Sequence, residues 1–214
     1  MAPQGREARS SAVTDMSDKE CAGPVAHFAC LVSRIGHPLV FITVSAGIVF
    51  AKQLPARRAL LILVALLFSV ILPTAFLLVT GVRSGRRPDA NVSERDERRR
   101  FYPWAILFSV LGAFLMWWIQ APMFVLHGAC VMLVVFILAA IINTWIKISL
   151  HALFASYCAV ILFQVDVAFG VAAAIMAAFV FWSRLFLSRH TLIEAVAGIV
   201  LGVGGGIVAV WWPG

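Results

Sequence analysis

The sequence predicts an all-α protein, a polytopic transmembrane helical bundle of six to seven spans. Three observations predict this class: 62% of the 214 residues are hydrophobic, only 13% are charged, and the mean hydropathy is +0.97. Soluble domains are nearer half apolar and a quarter charged. The length suits one bundle and leaves no room for a second domain.

Two regions follow from the distribution of polar residues. Residues 1–24 are polar and mixed in charge, so we expect a disordered tail and not a cleaved signal peptide. Residues 25–214 are expected to form a single transmembrane domain. Its predicted spans follow the apolar runs, at about 27–50, 59–80 with a kink at Pro73, 103–119, 123–142, 152–165, 167–182 and 192–212.

Polar segments interrupt these runs at 81–102, 143–151 and 183–194. Two predicted spans separate each of these segments from the next, and an even number of crossings returns the chain to the same membrane face. All three segments are therefore expected to meet on one side. The tight turns at 120–122 and at Asp166 belong to the opposite side and contain no evident chemistry.

Small residues in the predicted spans are interpreted as packing features. Gly198, Gly202 and Gly206 repeat every four residues, which predicts a smooth helix face for close contact and not a phosphate-binding loop. The cysteines have no metal-ligand spacing, and most lie in apolar runs, so we expect neither a disulfide nor a zinc site.

The formal net charge of +7 indicates basic loops at an anionic lipid surface and, in part, a phosphate site. Nucleic-acid binding is disfavoured because the aromatic residues lie within or at the ends of the spans. Counting basic residues in the short loops places the three polar segments in the cytoplasm. We therefore expect an integral protein of a bacterial inner membrane with its site on the cytoplasmic face.

The segment 183–194 concentrates the chemistry. Charged groups at the centre of a membrane helix cost about 2.5–3.5 kcal/mol each, so they persist where they pair or react. His190 and Glu194 are four residues apart, which on a helix permits a hydrogen bond, and Arg184 lies six residues before His190. With His151, these residues offer a nucleophile, a proton donor, an orienting carboxylate and a phosphate ligand. No acidic cluster is available for catalytic metal ions, so we expect metal-independent phosphoryl transfer through a phosphohistidine, without a cofactor.

The spacing Ser183-Arg184-x5-His190-x3-Glu194 resembles the third signature of the type-2 phosphatidic acid phosphatase superfamily, Ser-Arg-x5-His-x3-Asp, with glutamate in place of aspartate. The segment Ile148-Ser149-Leu150-His151 resembles the second signature, Pro-Ser-Gly-His, without its proline and glycine. The first signature, Lys-x6-Arg-Pro, is matched in spacing by Arg95-x6-Tyr102-Pro103, with Arg98, Arg99 and Arg100 as other sources of charge.

The resemblance implies a role for each matched residue. His190 would attack phosphorus, Glu194 would hold its reactive tautomer, and His151 would protonate the leaving alcohol and then activate water. The phosphoryl oxygens would be bound by Arg184, Ser149 and Arg95, with Arg98 as a helper.

The predicted function is therefore that of an integral membrane phosphatase acting on a lipid phosphate or diphosphate, of the polyprenyl phosphate or phosphatidate class. Two alternatives on the same fold stay open: a non-catalytic lipid-phosphate-binding or transport protein, and a lipid phosphotransferase. The oligomeric state is not indicated. Lys147 is interpreted either as a snorkelling interface residue or as a phosphate neighbour, and His27, His37 and His127 as packed or interfacial residues.

Overall fold

The structure is a computed structural model that describes Cys21, residues 23–83 and residues 95–211. The described residues form helices and no strands. A π-helical turn, Leu67–Ile71, joins the third helix to the fourth and ends two residues before Pro73, where the kink is expected. In chain order the α-helices are α1 (Pro24–Ile35), α2 (Pro38–Gln53), α3 (Ala56–Leu66), α4 (Leu72–Arg83), α5 (Arg95–Trp118), α6 (Met123–Ile142), α7 (Leu150–Val165), α8 (Val167–Phe186) and α9 (Leu192–Trp211).

The all-helical class predicted from composition is confirmed for the described residues, which contain five or six candidate membrane spans against the six to seven predicted. Five segments are long and apolar enough to cross a bilayer, and α1 with α2 makes a sixth if this bent pair counts as one span. The expected fifth span, α7, has 16 residues. At 1.5 Å per residue it reaches only about 24 Å, less than the ~30 Å hydrocarbon core.

Helix α7 forms the centre of the bundle. Its residues from His151 to Ala159 are all buried, and α2, α8 and α9 pack around it. The glycine stripe of α9 allows this close approach: a Cβ at Gly202 would lie 2.2 Å from the Leu153 carbonyl oxygen, and one at Gly198 would lie 2.6 Å from that of Ser149. The predicted packing role of the glycines is thus confirmed.

The first predicted span is not continuous. It is broken between α1 and α2, which meet at 55°, because the backbone turns at Gly36 and His37 caps α2 by accepting a hydrogen bond from the Leu39 amide. The third predicted span agrees with the candidate span Arg100–Trp118 to within three residues, but its helix, α5, begins earlier, at Arg95. Arg98, Phe101 and Tyr102 are buried in this early part of α5, so tertiary packing extends the helix before the proline.

The expectation of no disulfide is also wrong, because Cys21 is bonded to Cys30. Gly23 has φ of 96°, a conformation that glycine adopts without strain, and the chain turns there into α1. This turn brings the two Cα atoms to 6.2 Å despite the nine-residue separation. Apart from Cys21, Gly23 and Pro24, the predicted tail at residues 1–24 lies outside the described residues.

The two ends of the bundle differ as the crossing parity predicts. At one end, Lys52 pairs with Asp166 at 3.2 Å, and the Arg58 guanidinium donates to the Gln120 carbonyl at 3.0 Å. The opposite end brings together the start of α5, the α6–α7 connection and the α8–α9 connection. The candidate site lies there.

Candidate active site

The α8–α9 connection is fixed by the caps of both helices. The Arg189 amide donates to the Arg184 carbonyl at 3.1 Å and the Ser188 amide to the Leu185 carbonyl at 2.9 Å, the two bonds of a Schellman motif. Ser188 occupies the left-handed position with φ of 51°. The chain therefore leaves α8 at a defined angle and presents His190 immediately before α9.

Helix α9 begins with a capping box. The Thr191 amide donates to Glu194 Oε2 at 3.1 Å, and the Glu194 amide donates to Thr191 Oγ1 at 3.4 Å. Glu194 Oε2 also lies 3.0 Å from His190 Nδ1. The predicted His190–Glu194 hydrogen bond is present, although His190 stands in the connection before α9 and does not share a helix face with Glu194. A single carboxylate oxygen thus caps α9 and orients the imidazole.

Arg98 enters the site from the first turns of α5 and is only 2% exposed. Its Nη1 donates to the Ile148 carbonyl and lies 3.5 Å from the side-chain oxygen of Asn143. Its Nη2 lies 3.4 Å from His190 Nε2. The α6–α7 connection therefore holds this guanidinium against His190 Nε2, the ring nitrogen that Glu194 does not contact.

Arg184, at the end of α8, is also 2% exposed, and its Nη1 donates to Ser33 Oγ on α1 at 2.7 Å. His151 is buried at the start of α7, within electrostatic range of Arg184, Arg98 and His190. Its Nε2 has no hydrogen-bond partner among the described residues. The two predicted catalytic histidines therefore lie at the same end of the bundle, as the parity predicts.

Ser149 and Lys147 bracket the start of α7. Ser149 is fully buried and caps α7, since its hydroxyl accepts from the Ala152 amide at 3.4 Å and its own amide donates to the Glu194 carbonyl at 3.1 Å. This cap explains the serine without a ligand, and its predicted phosphate contact stays a prediction. Lys147 Nζ lies 3.5 Å from the Arg189 carbonyl oxygen.

Burial and cationic neighbours keep His190 neutral. Desolvation, followed by the charges of Arg98, Arg184 and Lys147, lowers the pKa of His190 to about 2. Burial and the same cationic surroundings lower the pKa of Lys147. A neutral imidazole that donates from Nδ1 to a carboxylate has its lone pair on Nε2, the atom that faces Arg98. This is the protonation state that a nucleophile needs.

The cluster carries more positive than negative charge. Among the side chains that the structure describes, the carboxylates are Glu194 and Asp166, and Asp166 lies at the other end of the bundle. Arg98, Arg184 and Lys147 thus face one carboxylate, an arrangement that favours an anion with several oxygen acceptors. Within the described ranges, no three His, Cys, Asp or Glu side chains converge as a metal-binding group.

Sequence reasoning identified most of this cluster but missed several members. Arg95 lies in α5, but its side chain is outside the described residues, so its predicted role stays a prediction. His37, predicted to be a packed or interfacial residue, packs its ring edge-on against His151 at 5.4 Å between centroids. Asn143 and Ser33, the partners of the two arginines, were also missed. The capping box could have been predicted from the three-residue spacing of Thr191 and Glu194.

Comparisons of this chain with models of protein families, with curated proteins and with solved structures find no match. A functional assignment therefore depends on the residues and geometry of the site itself.

Proposed function

We propose that this chain is an integral membrane phosphatase that hydrolyses a lipid phosphate or diphosphate through a phosphohistidine intermediate, as its resemblance to type-2 phosphatidic acid phosphatases implies. One observation carries the proposal. The neutral imidazole of His190 is held by Glu194 at Nδ1, while Nε2 faces the Arg98 guanidinium at 3.4 Å. A nucleophilic nitrogen and a phosphate ligand are thus adjacent.

The arginines supply the binding energy for the phosphoryl group. Guanidinium groups donate parallel hydrogen bonds to phosphate oxygens, and burial strengthens these bonds because water competes less. Arg98 and Arg184 are both nearly inaccessible to solvent and are positioned by Asn143 and Ser33. A phosphate between them would offset the excess positive charge.

The first half-reaction would transfer the phosphoryl group to the protein. The Nε2 lone pair of His190 attacks phosphorus while the bond from phosphorus to the alcohol oxygen breaks. His151 gives a proton to the departing oxygen; a singly protonated phosphate ester can bring that proton into the site. Glu194 stabilises the cationic imidazole that forms.

The second half-reaction would restore the enzyme. His151 accepts a proton from water as the water oxygen attacks phosphorus, and the bond from phosphorus to His190 Nε2 breaks. Inorganic phosphate takes the proton from His151 as it leaves, so both histidines are again neutral. General acid–base assistance of this kind contributes typically about 10²–10⁴-fold.

The side of the membrane is part of the proposal. The count of basic residues favours the cytoplasm, whereas the Cys21–Cys30 disulfide favours an oxidising compartment. Cys30 precedes Ser33 by about one helical turn, so the disulfide lies at the same end as the site. We place the site on the oxidising side. Arg98 and Arg184 are buried in the cluster, so they do not count as basic residues of a cytoplasmic loop. Recovery of Cys21 and Cys30 as free thiols from intact cells would reverse this assignment.

The proposed function is tested by measuring phosphate release from a panel of lipid phosphates in detergent, with EDTA present. His190→Ala should lower kcat at least about 10³-fold, and His151→Ala about 10²–10⁴-fold. His27→Ala, which changes an exposed histidine that is not part of the cluster, is the matched control and should be fully active.

Three results would redirect the assignment. Full activity of His190→Ala would show that the nucleophile is wrong. Lipid-phosphate binding or flux that survives the loss of both histidines would favour the non-catalytic alternative. Transfer of the phosphoryl group to an added alcohol in preference to water would favour the phosphotransferase.

A further inference from the structure

An apolar groove of about 920 Å³ runs along the bundle surface between α6 and α9. One end is formed by Ile142, Leu192 and Ile193, and the other by Gly204, Val208 and Cys130. The residues that line it are aliphatic, glycine or cysteine. A second cavity, of about 810 Å³, is lined partly by polar side chains and shares no residue with the candidate site.

The groove ends beside the candidate site. Ile142 directly precedes Asn143, the residue that contacts Arg98. Leu192 follows His190 by two residues, and Ile193 directly precedes Glu194. One end of the groove therefore lies at the same end of the bundle as the polar cluster, as expected if a lipid head group bound at the cluster and its chain in the groove.

The groove has the length of a lipid chain. From Leu192 to Val208 it follows 16 residues of α9, or about 24 Å at 1.5 Å per residue. This is most of the ~30 Å hydrocarbon thickness of a bilayer. Its volume is within the ~300–1,000 Å³ typical of small-molecule sites.

We propose that this groove seats one long hydrocarbon chain of the phosphorylated substrate while its phosphoryl group lies against Arg98 and His190. The proposal rests on the proposed function and narrows the substrate class to amphiphiles with a chain long enough to fill the groove. The groove then selects for chain length, and the arginines select for the phosphate.

Gly204 offers a direct way to fill the groove. It is exposed on α9, and a Cβ at this position would meet nothing within 4 Å. Its neighbour Gly205 is different, because a Cβ there would lie 2.5 Å from Val135 Cγ2. Gly204→Phe should therefore place a ring in the groove without separating α6 from α9. Gly47→Phe on α2 is the matched control, since a Cβ at Gly47 also meets nothing within 4 Å.

The experiment compares two substrates with the same head group: a long-chain lipid phosphate and water-soluble butyl phosphate. Gly204→Phe should lower kcat/KM for the long-chain substrate by about 10-fold or more, since displacing even two buried methylenes has an effect of this order. It should change kcat/KM for butyl phosphate by less than about 2-fold. Gly47→Phe should leave both values unchanged.

Several outcomes would overturn the groove assignment. One is an equal loss on both substrates, and another is no loss on either. A third is a wild-type dimer that Gly204→Phe converts to a monomer, because the groove would then be an interface between copies of this chain.

Wild-type protein that turns over neither substrate would instead refute the proposed function. Whether the groove binds the hydrocarbon chain is then tested by native mass spectrometry of the protein with the long-chain lipid phosphate. Weaker retention by Gly204→Phe than by wild type and Gly47→Phe supports the groove, and equal retention by all three overturns it.

Discussion

Replacing Glu194 with glutamine removes the negative charge of this side chain but can keep its hydrogen bonds. Glutamine at the third position of a helix also completes a capping box, so Thr191 keeps its partner. Because one oxygen, Oε2, accepts from both the Thr191 amide and His190 Nδ1, a glutamine whose amide oxygen takes this position keeps both bonds. The reactive tautomer is then kept, and only the charge that would stabilise the cationic imidazole is lost.

The magnitude follows from the geometry. The hydrogen bond between His190 and Glu194 is 3.0 Å long, and the His190 side chain is only 1% exposed. A hydrogen bond to a charged group contributes about 1.5–3 kcal/mol and one between neutral groups about 0.5–1.5 kcal/mol. Losing the charge should therefore cost about 1–1.5 kcal/mol in the transition state, so we expect kcat to fall by about 5- to 15-fold.

The assay is phosphate release at saturating long-chain lipid phosphate, with thermal unfolding in detergent measured in parallel. The unfolding midpoint of Glu194→Gln should stay near that of wild type, and KM should change little because the arginines are intact. Glu194→Asp, which keeps the carboxylate, should retain more kcat than Glu194→Gln. A Glu194→Gln enzyme with more than about half of the wild-type kcat would refute the proposal that the charge of Glu194 stabilises the cationic imidazole.

Four further outcomes are expected. Arg98→Lys should raise KM for lipid phosphate about 10-fold in steady-state assays, because lysine loses the planar fork that also contacts Ile148. The pKa of His190 is lowered from 6.5 to about 2 in the folded protein, so below about pH 6.5 the unfolded protein binds a proton that the folded protein does not. The thermal unfolding midpoint should therefore decrease as the pH is lowered from 6.5, and it should decrease less in His190→Asn. Gly202→Ala should destabilise by about 1–3 kcal/mol in denaturant titrations, because its Cβ would lie 2.2 Å from the Leu153 carbonyl oxygen, whereas Gly204→Ala should be neutral. Ser188→Gly should raise the unfolding midpoint, because Ser188 has φ of 51° at a helix end where glycine is preferred.

The fold class and the meeting of the polar segments could be predicted from the sequence because they depend on hydropathy and on the number of crossings. The His190–Glu194 contact could also be predicted, although for the wrong reason. The contacts of Ser33 and His37 with the site could not be predicted, since they depend on the bend at Gly36 that separates α1 from α2. The start of α5 before the apolar run could not be predicted either, because it depends on the buried packing of Arg98.

The interval between Arg184 and Glu194 has a structural origin that is independent of the proposed reaction. The Schellman motif spans Arg184 to Arg189, and the capping box spans Thr191 to Glu194. Only His190 stands between them, so its backbone is fixed from both sides and its imidazole has little freedom. A capping box takes glutamate or glutamine at its last position, which gives a physical reason for glutamate where the resembling signature has aspartate. The same helix ends that stabilise the fold therefore pre-position the imidazole against Arg98, and little conformational entropy remains to be lost when a phosphate binds.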